Sequence, residues 1–498
     1  MKWGIIIPII IYLIAMFLVG AYFHRYLKDR RGTFQESFFV GDRSLGPVVL
    51  VLTMLASSVS AGTFIGAPGL AYDVGFGWVL AVMGQATAGI CMLGILGKKF
   101  AIIARKIKAV TMTDLFFARY RSRAVVIGTA LGIVIFIGAY MVAQFAGGAL
   151  IVQSVTGLPY QAGILIFAGG VVGYTAYGGF RAVAITDAIQ GIVMILGGVL
   201  LWIGFMATTG GFSAVMDQLA TQQPELLTLP GPGNITPTVL FSYFLLFGIA
   251  AIGLPHAANR GMTYRDSRTM HQAVMMSAIV MVLFTFFFAT LGPAMRVIYP
   301  NIESSDLVLP RFIVDTFPGW LAGIVLAAPL SAVMSTVSSM LLVASGAVVK
   351  DIYLNYVNPE ASDRRISSLS YVATLVIGVA VMLVALTPPD YVQFVVVFAL
   401  GGLQSMFVAP TVFGLFWKRA TKWGAIASMY LGLVSYLVLE IFFPDLFGDI
   451  VNLVPALTLS IVAMVVVSLL TPKPSQDIIR LFWGKSVPSD RQEVTLQR

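Results

Sequence analysis

The sequence predicts an all-α polytopic membrane protein of about thirteen spans, ten of them arranged as two inverted five-helix repeats. Three observations predict this. The mean hydropathy of the 498-residue chain is +0.91 and only 11% of its residues are charged, where a soluble chain carries about a quarter. Residues 124 to 180 contain no Asp, Glu, Lys, Arg or His, and Trp3–Phe23, Pro318–Val349 and Tyr391–Trp417 are also free of charge. Each run exceeds the roughly 20 residues that cross a bilayer; a soluble core accommodates one such run, not a dozen. Finally, two spans five apart are interrupted by glycine and proline in similar surroundings.

In chain order the spans are expected at 3–23, 46–72, 75–97, 124–153, 159–179, 184–208, 237–257, 270–295, 318–348, 368–387, 391–416, 424–443 and 450–470. The first resembles a signal peptide only superficially: its apolar run is too long, it lacks an A-x-A-like cleavage site, and five basic residues follow. With the N-terminus outside, only Lys2, Arg296 and Arg311 of the 31 Lys and Arg face outward. The opposite threading reverses that ratio, so the positive-inside rule puts the C-terminus and the tail at 472–498 in the cytoplasm. The net charge of +9 thus sets topology beside anionic lipid, and nucleic acid is not implied.

The second span reads ASSVSAGTFIGAPG and the seventh FGIAAIGLPHAANR. Proline removes a backbone donor and glycine weakens a helix; in lipid the carbonyls so freed must find protein, water or an ion. Either span alone reads as an ordinary kink. A matched pair separated by five spans is the mark of inverted repeats with a binding site at the midplane, because halves of odd span number must be inverted. The transporter domain is accordingly expected over 1–471, as an extra helix at 3–23, repeats at 46–208 and 237–416, and two extra helices at 424–470.

In the ninth span, SAVMSTVSSM places five hydroxyls within nine residues. At about 100° per residue, Ser331, Ser335, Ser338 and Ser339 share one arc, flanked by Ala332 and Thr336. Close helix packing through small residues gives such faces. Neutral oxygens also suit an alkali cation, with carbonyls of Ala56 and Val59, beside the second-span break, completing its shell; the ion site is the favoured reading. Asp187, in AITDAIQG, is either an intramembrane functional carboxylate or a helix-start charge favoured by the macrodipole. One cysteine, Cys91, permits no intrachain disulfide. Three histidines without ligand spacing argue against structural zinc, and the spans hold no cluster suited to an enzyme.

At these residues the chain resembles the solute:sodium symporter family over nearly its whole length, through ASSVSAGTFIGAPG, GGFRAVAITDAIQG, GLPHAANR, the hydroxyl-rich span and GLFWKRATKWGA. The resemblance implies a LeuT-like fold over spans two to eleven, sodium as the coupling ion, no other cofactor and no obligate protein partner. It implies a sodium site made of the Ala56, Val59 and Ala332 carbonyls and the Ser335 and Thr336 hydroxyls. It also implies a second sodium position for some members, at Asp187, Ser335, Ser338 and Ser339. Strings such as GKKFAIIARK, LFFARYRSR, YGGFRA and LAAPLSAVMST imply a small organic anion, pantothenate, as the solute carried into a bacterial cell across its cytoplasmic (inner) membrane.

For the solute, the resemblance implies contacts at Ser60, Thr63 and Gln85. Phe247, Gln144, His256 and Gln404 are further candidates, each also readable as a packing or network residue. Sialic acid is disfavoured because its carboxylate-binding arginine would fall near Ala139. Proline is disfavoured because its carriers have an aspartate where this chain has Ser58, and aromatics at both the Phe247 and the Ala251 positions. The alternatives are the same machinery with another organic acid or a proton-coupled solute, or an uncoupled channel or sensor on the same fold. The short tail weakens the sensor reading.

Overall fold

A computed structural model describes residues 2–27, 47–87, 90–232, 235–261 and 266–484. Among these residues the chain is all helical, with no strand. Among the described residues nine helices are long and apolar enough to span a membrane, or ten if one bent pair counts as a span; Phe76–Thr87, Tyr160–Ala176 and Pro237–Gly253 are shorter apolar helices.

α1 (Trp3–Leu27) lies along the outside, and its exposed Trp3, Ile11, Leu18 and Tyr22 suit contact with lipid tails. The bent pair is α2 (Pro47–Ser58) and the stretch Gly62–Val74, which ends in α3 (Ala67–Val74), the two inclined at 61°. α2 and α3 are joined through Val59, Ser60, Ala61 and a wide π turn over Gly62–Gly66. α4 (Gly138–Thr156) crosses against that break; a Cβ on its Gly147 would come within 2.6 Å of the Ala61 Cβ, so the approach requires glycine.

α5 (Tyr160–Thr209) is helical without interruption, where two separate spans were expected at 159–179 and 184–208. No proline lies between them, so every residue keeps its backbone donor. The helix is nonetheless strongly bent between those two stretches. Tyr174 and Thr186 both lie 3.9 Å from a Cβ built on Gly20, whereas a straight helix would hold those two residues about 18 Å apart.

The second interruption separates α6 (Pro237–Gly253) from α7 (Pro255–Gly261). Leu254 between them is extended, at φ −94° and ψ 109°. α8 (Ser267–Ile298) follows, then a cap of a 3-10 turn at Ser305–Leu307 and α9 (Val308–Thr316). α10 (Gly319–Gly346) carries the hydroxyl-rich stretch and continues as a wide π turn over Ala347–Val357. It packs on α5, α1, α4 and α2 and is buried along nearly its whole length, so its small side chains meet protein rather than lipid. α11 (Asp363–Val384) and α12 (Val392–Phe416) complete the inner set, with α13 (Lys422–Phe442) and α14 (Leu453–Leu470) packed on α12.

Candidate ion and solute site

The break in the second span frees carbonyls for specific reasons. In a continuous helix the Ala56 carbonyl would receive the amide of Ser60, and that of Val59 the amide of Thr63. Here the Ser60 amide turns to Thr63 Oγ1 at 3.4 Å and the Thr63 amide to the Ser60 carbonyl at 3.0 Å. Both freed oxygens are met by α10. Ser335 Oγ donates to the Ala56 carbonyl at 2.6 Å and Thr336 Oγ1 to that of Val59 at 3.2 Å. Ser335 Oγ also lies 3.1 Å from the Ala332 carbonyl and 2.8 Å from that of Ser331. The five sequence-derived ligands, Ala56, Val59, Ala332, Ser335 and Thr336, therefore share one fully buried cluster.

The chemistry of that cluster fits a bare monovalent cation: three carbonyls and two hydroxyls, all uncharged, shielded from water. The Ser335 proton can stay on the Ser331 carbonyl while the oxygen's lone pair turns to an ion.

Asp187 is fully buried inside α5. Its reading as a charge at a helix start is corrected, because no helix begins there. Ser339 Oγ donates to Asp187 Oδ2 at 3.3 Å. Ser338 is buried on the same side and donates to the Ser335 carbonyl at 3.0 Å. The structure thus brings the Asp187 set and the Ser335 cluster onto adjoining turns of α10.

Beside the break lies a cavity walled by both interrupted spans and by α12. Ser60, Thr63, Gln85 and Phe247 line it, as expected. Gln85 spends its amide on the freed Ser58 carbonyl at 2.8 Å, leaving its other amide atom for a ligand. Gln144, His256 and Gln404 are not among its lining residues. Gln144 Oε1 accepts the freed Ala61 amide at 2.8 Å. Gln404 Nε2 donates to the Leu246 carbonyl at 3.0 Å, and His256 packs edge-on to Tyr140 with centroids 6.4 Å apart. Of the three, Gln144 takes up an amide freed at the second-span break, as an interrupted span requires.

Sequence reasoning missed four polar wall residues: Ser57, Tyr140, Thr285 and Gln393. Tyr140 donates to Ser60 Oγ at 3.4 Å. Thr285 Oγ1 and Gln393 Oε1 are buried without a hydrogen-bond partner. The signal was available, since each is the lone polar residue in an apolar run, VLFTFFF and YVQFVVVF.

The model of the sodium:solute symporter family matches residues 38–432. The chain belongs to the sodium:solute symporter family. A sodium/pantothenate symporter from Escherichia coli (strain K12) is 41% identical over 470 residues, 94% of this chain and 96% of that one. One from Haemophilus influenzae (strain ATCC 51907 / DSM 11121 / KW20 / Rd) is 38% identical over 469 residues, with 94% and 96% covered. Among solved structures, a substrate-bound, outward-open sodium-coupled sialic acid symporter superposes with a TM-score of 0.81 at 21% identity, over 95% of this chain and 98% of that one. That likeness carries the LeuT-like fold. As a member of the family, the chain is a sodium-coupled symporter of the cytoplasmic membrane, a multi-pass transporter and not an enzyme.

Proposed function

We propose that this symporter imports pantothenate, or a closely similar small carboxylate, by alternating access. The observation that carries the reading is the adjacency of two sites at one backbone break. The Ala56 and Val59 carbonyls face α10, while Ser60 and Thr63, the next polar positions, line the cavity. Sodium held by Ala56, Val59, Ala332, Ser335 and Thr336 ties α2 to α10 and so fixes the wall on which the solute rests. The amide and hydroxyl groups at Ser60, Thr63, Gln85 and Gln393 suit an acyl chain that carries hydroxyl, amide and carboxylate groups. Similarity to the Escherichia coli sodium/pantothenate symporter supports that choice of solute. Release follows when one bundle rocks against the other and opens both sites inward.

The same reading takes thirteen spans, with the N-terminus outside and the C-terminus in the cytoplasm. In support, the nine long apolar helices, the bent pair and the three shorter apolar helices fill the thirteen expected positions, and the Lys and Arg residues gather on one side. The repeats are taken as 46–208 and 237–416, because the two interruptions occupy equivalent places in them. Asp187, Ser338 and Ser339, with Ser335, are taken as a second sodium position.

The test is uptake of labelled pantothenate into proteoliposomes with and without an inward sodium gradient. Accumulation that requires sodium is expected. Folded protein that accumulates none under any gradient would overturn the pantothenate assignment.

A further inference from the structure

Outside the ligand sets described so far lies a second group of buried polar side chains, contributed in part by the N-terminal helix α1. Tyr12, on α1, meets Ser331 Oγ with its hydroxyl at 2.6 Å. The Ser331 proton is already given to the Ala327 carbonyl at 2.6 Å, so Tyr12 is the donor and its phenol oxygen keeps lone pairs free to accept. Gln190, one turn beyond Asp187 on α5, is fully buried. Its amide faces Tyr12, yet neither Oε1 nor Nε2 makes a hydrogen bond of normal geometry. The Tyr174 hydroxyl faces Ser338, Thr186 and Asp187, yet it also is buried without a partner. The bend in α5 brings these groups together, and α1 passes over both arms at Gly20.

Three unpartnered polar atoms in one place are costly in a bilayer, where no solvent can satisfy them. Tyr12 and Tyr174 both lie within electrostatic reach of the Asp187 carboxylate, and phenol, amide and hydroxyl oxygens near one carboxylate are a donor set suited to a hard monovalent cation. At three-residue spacing on one helix face, the Gln190 NH2 can turn to Asp187 and its carbonyl to an ion.

We propose that Tyr12, Tyr174 and Gln190 complete the second sodium position beside Asp187 and Ser338, so that α1 is part of the ion-handling machinery and not a peripheral anchor. This rests on the reading of Asp187 as a sodium ligand.

The test uses the full chain, purified, with radioactive sodium binding measured at equilibrium beside the sodium dependence of uptake. Tyr12→Phe and Gln190→Leu are expected to raise half-saturating sodium about 10-fold, the loss of one oxygen contact. The solute KM at saturating sodium should stay unchanged. Gln190→Glu, which adds a carboxylate, is expected to tighten sodium binding; a packing role would predict loss instead. Should Gln190→Leu fail to fold, Tyr12→Phe keeps the ring and carries the test. Unchanged sodium binding in Tyr12→Phe, together with a clear loss in Asp187→Asn, would overturn the proposal and leave a buried water as the occupant. If Asp187→Asn also binds sodium as the parent does, the second-sodium reading falls with it.

Discussion

Ser335 and Thr336 touch the same freed backbone but have unequal alternatives. Ser335 has three carbonyls within reach, those of Ala56, Ser331 and Ala332. Thr336 donates to the Val59 carbonyl, so its oxygen is the cleaner probe. A neutral ligand to a charge contributes about 1.5–3 kcal/mol, so Thr336→Ala is expected to raise half-saturating sodium about 10-fold to 150-fold. Thr336→Ser should stay close to the parent, since it keeps the oxygen and loses only a methyl. If Thr336→Ala leaves the sodium curve in place, the hydroxyl merely fastens α10 to the break. That Ser335 and Thr336 meet the carbonyls of Ala56 and Val59 was legible in the sequence, because hydroxyls stand out against an apolar background and the breaker residues say where carbonyls are freed. The solute wall was less legible. Gln144 and Gln404 look as suited to a ligand as Gln393 does, and only three-dimensional packing shows that the first two are given to backbone groups, at Ala61 and Leu246.

At the scale of elements, the two interruptions could be read directly, because proline and glycine act locally on the helix that contains them. The bend in α5 could not, because it depends on how α1 and α10 grip its two arms. A third element, the cap at Ser305–Leu307, was invisible for the same reason. It supplies α12 with a cap that its own N-terminal residue lacks: Tyr391 makes no side-chain capping bond, and Asp306 Oδ2 accepts the Val392 amide at 2.8 Å. Asp73, at the end of α3, accepts Ser305 Oγ and the Tyr391 hydroxyl, the latter at 3.1 Å. Burial raises the Asp306 carboxyl to about 7, and the neighbouring Asp73 charge adds to the rise while the Val392 bond opposes it. The folded protein therefore holds a proton that the unfolded chain releases near 3.8. This contribution is fully present below about pH 4 and is lost as pH rises to about 7. Melting in detergent should accordingly show a stability component that falls over this window, and Asp306→Asn, neutral at every pH, should remove that component. An unaltered pH slope in the variant would place the titration elsewhere.

For the whole molecule, the number of sodium ions decides how the membrane potential enters. One sodium with one monovalent anion moves no net charge, so voltage cannot drive accumulation. Two sodiums with one anion carry one positive charge inward, and each such charge gains about 2.3 kcal/mol per 100 mV. That energy corresponds to about a 50-fold rise in the limiting accumulation ratio. The buried Asp187 beside Ser339, on turns of α10 adjoining the Ser335 cluster, favours two ions. Proteoliposomes with a fixed sodium gradient should therefore accumulate more pantothenate when a potassium diffusion potential makes the interior negative. The effect should grow with each increment of potential. Asp187→Asn should lose this response while retaining sodium dependence through the Ser335 cluster, because the first site contains no ionisable group. A parent protein whose accumulation ignores voltage would mean one sodium per anion, and Asp187 would then serve only to hold α5 against α10.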